Sequence, residues 1–496
     1  MTPGPEREGE APGADAAPGE GAGERAVAWA AFAGFFFLIM AYYVLKPIRE
    51  SLAIELGAAN VPALNILSML SLIGGNAVYT WIVGRFRPER FIPWVTWFFV
   101  ACLVGFWVCF RLVALHVPLP APGAEVGSMG VAEPVGLAVS TPSPVPGPAT
   151  GSSAAAPGQA KEVTVGGVVL IASYFVWVNL FALFSVSMYW SFLNDIFTME
   201  QGKRLYGRIG YGGLVGGLAG GLVTAALAAA VGTGNMLLVA AALLVPTIPL
   251  VAFIHRRANG EAGGDGAGGP AKTVAPAAPA AGSAVVRPWD GLVCTVSSSL
   301  LVLLALEMFC YTFASSLFSY QINALVEESL PSRDLRTVYW ANLYNAINGV
   351  SLVTQFVLTW AFMRLAVPVW GLLLLPLSQI VGSVWLAGDA VLAVAGTVVV
   401  FRYATNYSLG RALRELMFTL VTREEKYQGK GFIDTLVFRA GDGLSSVVLL
   451  WGLHRFGPGG WIDALIILVM AVGAASVVAL AAQFRRRSGE KSPPTS

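Results

Sequence analysis

Twelve long apolar runs constrain this chain more than any other feature. They cover residues 26–45, 61–84, 91–115, 167–192, 207–231, 234–254, 293–320, 338–363, 368–387, 389–410, 432–453 and 461–484. A helix of about 20 residues crosses a hydrocarbon core about 30 Å thick. Inside that core every backbone N–H and C=O must be satisfied by the protein, and a helix does this within one segment. The expected fold is all-α: a polytopic membrane protein of about twelve transmembrane helices in two six-helix halves. Composition agrees, with 56% hydrophobic and 12% charged residues, about half the charged share of a soluble domain. Lys and Arg number 31 against 29 Asp and Glu, a net charge of +2, which leaves no electrostatic footprint for nucleic acid.

Two segments cannot join a packed core. Residues 118–165 and 258–286 are almost entirely Pro, Gly, Ala, Ser and Val, the composition of flexible connectors. The first reads as an extracytoplasmic insert, and the second as a cytoplasmic linker between halves at 26–257 and 287–487. Tails at 1–25 and 488–496 flank them, and the first lacks the basic start of a signal peptide. Six helices, a linker and six helices is the layout of secondary transporters built from repeated halves. Basic residues orient the spans. Arg85, Arg87 and Arg90, then Lys203, Arg204 and Arg208, then Arg256 and Arg257 fall on one side. Arg364, the group Arg411, Arg414, Arg423, Lys426 and Lys430, and the cluster Arg485–Arg487 join them there. Alternating spans put that side and both termini in the cytoplasm, with a bacterial inner membrane as the expected location.

A short echo relates the halves. Ile196-Phe197-Thr198 followed by Glu200-Gln201, and Met417-Phe418-Thr419 followed by Glu424-Glu425, occupy matching positions of a six-plus-six repeat. In the fifth run Gly212, Gly216 and Gly220 form one Gly-x-x-x-Gly register, and Gly213, Gly217 and Gly221 a second. Such registers let another helix backbone approach closely. The spacing is not that of a phosphate-binding loop, and no Gly-Lys-Ser/Thr follows.

No enzyme site is expected. Four cysteines lie in apolar runs without a Cys-x-x-Cys pair, and His116, His255 and His454 stand at run ends, so neither a metal nor a disulfide framework is indicated. Charges inside the runs carry the functional argument, because one at the bilayer centre costs about 2.5–3.5 kcal/mol even on lenient scales. Lys46 and Arg49, beside Pro47 and Glu50 at the end of the first run, share a helix face. They either snorkel to outer headgroups or line a solute path; their place against the positive-inside bias favours the path. Glu307, Arg402, Asp434, Arg439 and Asp442 should face the bundle interior. Arg402 stands with Tyr403, Asn406 and Tyr407, and Asn179, Asn194 and Asp195 with Tyr189 and Trp190 make a comparable stripe. Arg439 and Asp442 are spaced for a mutual ion pair, and Asp434 for a carboxylate at a helix start. Asn342, Asn345 and Asn348 either pack helices or line the path. The solute-binding candidates are Lys46, Arg49, Asn179, Arg402 and Arg439. The proton-coupling or gating candidates are Glu307, Asp195, Asp434 and Asp442.

Three stretches, Tyr42 to Leu52, Tyr189 to Gly213 and Arg411 to Gly443, together with the helix layout, resemble the ATP/ADP translocases of the nucleotide transporter family. The similarity runs over most of 26–485 outside the two inserts. It implies a twelve-helix fold related to the major facilitator superfamily, exchange of ATP for ADP and phosphate, and charged membrane residues that handle polyphosphate. Arg49 falls where that family carries a Lys after the first helix. Asp195 and Asp434 match the acids of its Asn-Asp and Ile-Asp phrases. The chain departs from the pattern at Val178 or Asn179 and near Ser319, where the family has acids, and at Gly441-Asp442, where it has Gly-Lys.

The expected function is thus a nucleotide antiporter working by alternating access, with no cofactor, as a monomer in the bilayer. The alternative is a proton-coupled carrier of another small anion. The topology makes a direct prediction. In a chain whose four cysteines are replaced, a single cysteine placed within 120–160 should react with an impermeant maleimide in intact cells. Reaction only after permeabilisation would reverse the orientation.

Overall fold

Helices form where the apolar runs lie, and they extend beyond them wherever charged residues turn inward. The computed structural model describes residues 22–85, 88–113, 163–261, 290–365, 367–422 and 425–491. Nearly all of the tail, the insert 118–165 and the linker 258–286 lies outside the described residues. The first half comprises α1 (Ala22–Glu55), α2 (Val61–Arg85), α3 (Pro88–Leu112), α4 (Val165–Ile196), α5 (Met199–Val231) and α6 (Met236–Ala258). The second half opens with α7 (Ser299–Ser329), α8 (Arg333–Met363) and α9 (Pro368–Gly388). Then α10 runs as Leu392–Thr405, passes through a π-helical turn at Asn406–Gly410, and ends as Arg411–Met417. The bundle closes with α11 (Lys430–Phe456) and α12 (Trp461–Lys491).

Among the described residues, eleven helices are long and apolar enough to cross a membrane. The α10 helix, with Arg402, Asn406, Arg411 and Arg414, is too polar to rank with them. The outer faces of the bundle are apolar, with Leu70, Ile73, Trp81, Trp94 and Trp451 all exposed. Such a surface invites aggregation in water and suits lipid. Leu45, Ile171, Phe181 and Leu205 belong to one buried cluster of the first half; the second half packs on two, one with Leu304 and Leu413 and one with Phe318 and Val399, which also takes in Ile54 and Ala58 of the first half.

The α1 helix does not stop at residue 45. It continues through Lys46, Pro47, Arg49 and Glu50 to Glu55, because these charges meet partners on neighbouring helices instead of headgroup water. Of the two readings of this end, the contacts are those of a face turned into the bundle and not of a snorkelling one.

The glycine registers of α5 serve two different helices. Gly212, Gly216 and Gly220 lie against the backbone carbonyls of Phe32, Phe36 and Met40 on α1, so close that a Cβ at any of the three would overlap them. The second register admits α8: Gly217 faces the Asn348 side chain and Gly221 that of Asn345. Asn348 also accepts a hydrogen bond from the Tyr43 hydroxyl at 3.3 Å. These two asparagines pack helices.

The echo between halves has a structural counterpart in the turns. Thr198 and Gln201 form a reciprocal capping box ahead of α5. In the second half the box uses Thr422 and Glu425, each accepting from the other's N–H at 3.3 and 2.9 Å. The residue matching Thr198 is therefore Thr422, three positions beyond the Thr419 of the sequence pairing. The Thr422 N–H holds the Glu425 carboxyl below the usual carboxylate range.

A substitution follows from the α1–α5 contact. Gly216→Leu sets a side chain against the backbone of Phe36, and should cost more than the about 1–3 kcal/mol of ordinary overpacking. We expect little monodisperse protein on size exclusion. Gly217→Ala, whose Cβ would sit 3.2 Å from Tyr43 and 3.4 Å from Asn348, should lower Tm only slightly.

Candidate functional site

A cavity of about 290 Å³ lies between the halves. Helices α1, α2 and α4 supply one wall, and α7, α10 and α11 the other. In a six-plus-six repeat α1 corresponds to α7 and α4 to α10, so equivalent elements face each other across the space.

Four ionisable side chains of α1 and α11 line it: Arg49, Glu50, Arg439 and Asp442. Arg49 pairs with Glu50 and donates from Nη1 to Asn179 Oδ1 at 2.6 Å, while Asn179 donates to the Phe175 carbonyl at 3.0 Å. Glu50 also accepts from the Tyr344 hydroxyl at 3.0 Å. Asp442 accepts from Ser316 Oγ at 2.9 Å. Among the described residues it is not within ion-pairing distance of Arg439, so the sequence-based pair does not form. Ser315, Ser316, Ser319 and Asn323 line the cavity from α7. Their recurrence every three or four residues is a polar stripe legible in the sequence, and sequence reasoning passed over it.

Arg402 stands immediately behind this wall and is fully buried. Its Nη1 donates to Ser315 Oγ, and its guanidinium carbon lies 4.2 Å from the Tyr403 ring centroid and 5.7 Å from that of Phe318. Nε and Nη2 have no hydrogen-bond partner. Among the described residues no carboxylate lies within ion-pairing distance of Arg402.

The remaining candidates fall elsewhere. The Lys46 Nζ sits 3.7 Å from the Tyr344 ring centroid and 5.5 Å from that of Tyr43, caged by aromatics beside the cavity rather than lining it. Glu307 is buried on α7 and accepts from Arg414 Nη1 through both oxygens, at 3.1 and 3.3 Å. Arg414 Nη2 in turn donates to Asn406 Oδ1 at 2.5 Å, and Asn406 lines the cavity. Arg414 was counted with the cytoplasmic basic residues; the structure folds it inward, because the π-helical turn carries the end of α10 beneath α7. Asp195, at the end of α4, and Asp434, at the start of α11, are exposed and lie away from the cavity.

The Glu307–Arg414 pair makes a stability prediction. Removing one partner of a buried ion pair costs about 3–5 kcal/mol, because the other charge is stranded, whereas replacing both is close to neutral. Arg414→Leu should therefore depress Tm sharply, and Glu307→Gln/Arg414→Leu should recover most of the loss.

No protein-family model matches the chain, and no curated protein matches it. Solved structures do. A bacterial homologue of the iron transporter ferroportin in an inward-facing state superposes with a TM-score of 0.60 at 9% identity, over 92% of this chain and 99% of that one. A D-xylose–proton symporter gives 0.53 at 11% identity, over 92% and 97%. A bacterial homologue of the human lysosomal transporter Spinster, inward-facing and unoccupied, gives 0.50 at 13% identity, over 96% and 100%. At these identities the likeness is one of fold: the chain shares the helical architecture of these solved transporters.

Proposed function

We propose that the chain is a secondary carrier of a small organic anion, not an enzyme, working by alternating access of the two halves around the central cavity. The observation that carries this reading is Arg402: fully buried, with two unpartnered nitrogens and, among the described residues, no carboxylate within ion-pairing distance. An uncompensated cation at that depth is expensive, and an anionic solute offsets the cost by supplying the missing charge. The four lining charges balance, two positive and two negative, and the two cations beside them, Arg402 and Lys46, tip the site positive. A surplus of that size suits a solute of one or two negative charges. The bacterial inner membrane and cytoplasmic termini belong to the same reading, through the distribution of basic residues.

Nucleotide exchange is the second reading. The aromatic wall favours it: Tyr403 and Tyr407, with ring centroids 5.5 Å apart, line the cavity with Tyr311, and such rings stack on a base. The charge balance counts against a tri- or tetra-anion.

The test is thermal stabilisation of purified protein with acetate, succinate, phosphate, a sugar phosphate, ADP, ATP and a neutral sugar. A ligand at 100 times its Kd stabilises by about 2.7 kcal/mol. Small anions should raise Tm, and the rise should vanish in Arg402→Gln. That variant should match or exceed the unliganded wild type in Tm, since it loses an uncompensated charge. Stabilisation by succinate, phosphate or the sugar phosphate that persists undiminished in Arg402→Gln, or stabilisation by the neutral sugar alone, would overturn the reading. A response confined to ADP and ATP would establish nucleotide exchange instead.

A further inference from the structure

A second cavity, about 310 Å³, lies at the end of the bundle that carries the α1–α2, α5–α6 and α7–α8 connections. It shares no lining residue with the central one. Ile48, Leu52 and Leu237 make its apolar floor, and Trp107 and Phe110 of α3 an aromatic wall. Arg111 at the end of α3 and Arg333 at the start of α8 also line it.

The charges here do not balance. Arg111 donates from Nη2 to Asn235 Oδ1 at 2.8 Å, and its guanidinium carbon lies 5.4 Å from the Trp107 ring centroid; among the described residues it has no carboxylate partner. Arg333 and Arg336 share one acid, Glu55, each at 3.5 Å. Asp334 is already occupied, one oxygen accepting from the Thr233 N–H at 2.7 Å and from its hydroxyl at 2.5 Å. Of the charged residues that line the cavity, two are arginines and one is an acid. Ser332 gives α8 no side-chain cap, so the positive end of that helix adds to the same field.

We propose that this cavity binds a small amphipathic carboxylate and that binding holds the halves together at this end. The carboxylate is held by Arg111 and Arg333, and its apolar part rests on Trp107, Phe110 and Leu52. The holding action follows from the composition of the wall. Arg111, Trp107 and Asn235 belong to the first half, Arg333 and Asp334 to the second. Parting the halves divides the site, so a ligand that needs both sides binds the closed form alone and shifts the population towards it. The proposal does not depend on what the central cavity carries.

The test uses the full chain in lipid nanodiscs, with benzoate as probe and benzyl alcohol and benzylamine as neutral and cationic controls. Benzoate should raise Tm saturably and the controls should not. Apparent affinity should fall at least tenfold in Arg111→Gln and in Arg333→Gln, and be retained in Arg402→Gln. Arg333→Gln also loosens the tie to Glu55; Arg111→Gln does not, because Arg111 bonds only within its own half. The second readout is a cysteine pair at Ala58 and Glu327, introduced into a chain whose four native cysteines are replaced. There the Ala58 N–H donates to Glu327 Oε2 at 2.7 Å across the halves, and benzoate should speed cross-linking. No shift in wild type, undiminished affinity in Arg111→Gln, or loss of the shift in Arg402→Gln alone would overturn the site. A benzoate shift with unchanged cross-linking would overturn the holding action.

Discussion

A charge within a bilayer must be matched by another charge, by a dipole or by a solute, and the arrangement of α1, α7, α10 and α11 follows from that demand. Three solutions occur within one shell. Arg49 is satisfied by Glu50 and Asn179, with Tyr344 completing Glu50. Glu307 is satisfied by Arg414 across 107 residues of sequence. Lys46 rests on the Tyr344 and Tyr43 rings, a contact worth about 2 kcal/mol where water is excluded. Arg402 is the exception in lacking a strong partner: among the described residues it is met by Ser315 and by the Tyr403 and Phe318 rings, and it stands behind the cavity for which an anionic solute is proposed.

The α5 helix explains how the halves stay in contact around such a site. Its first glycine register brings the α1 backbone close enough to forbid any side chain between them. The second register meets α8 through the amides of Asn345 and Asn348, not through interlocking apolar knobs. One helix therefore packs backbone to backbone within its half and glycine to amide against the other.

How much of this was legible depended on whether a feature is local. Span positions were, since hydrophobic length sets them, and the glycine registers of α5 announced close packing without naming its partner. The extent of α1 was not. Lys46, Arg49 and Glu50 end an apolar count, yet they lie inside the helix because Asn179 and Tyr344 reach them from elsewhere. Composition cannot tell a basic helix end in water from one folded inward, which is why Arg414 was placed with the loop residues. The reverse holds for Asp195 and Asp434: their apolar neighbours suggested burial, and their places at helix ends leave them exposed. Arg402 was legible as a candidate because no helix end lies near it. Its lack of an acid partner was not, since that is a property of all the helices around it.

Ion pairs grade along the bundle in burial. Polar ties between halves are densest at one end: Ser51 to the Arg333 carbonyl, Ala58 to Glu327, Thr233 to Asp334 and Thr337, and Glu55 to Arg333 and Arg336; Tyr43–Asn348 and Tyr344–Glu50 join the halves further along α1. The Arg333–Glu55 pair is long at 3.5 Å, and the Arg333 side chain is 28% exposed; pairs with access to water contribute about 0–1 kcal/mol each. Deeper in, Glu307 is only 2% exposed and is held by Arg414 at 3.1 Å, and breaking such a pair strands a buried charge. The Glu307–Arg414 tie joins two helices of the same half, whereas the ties between halves range from the partly exposed Arg333–Glu55 pair to the buried Arg336–Glu55 pair and the Tyr344–Glu50 bond.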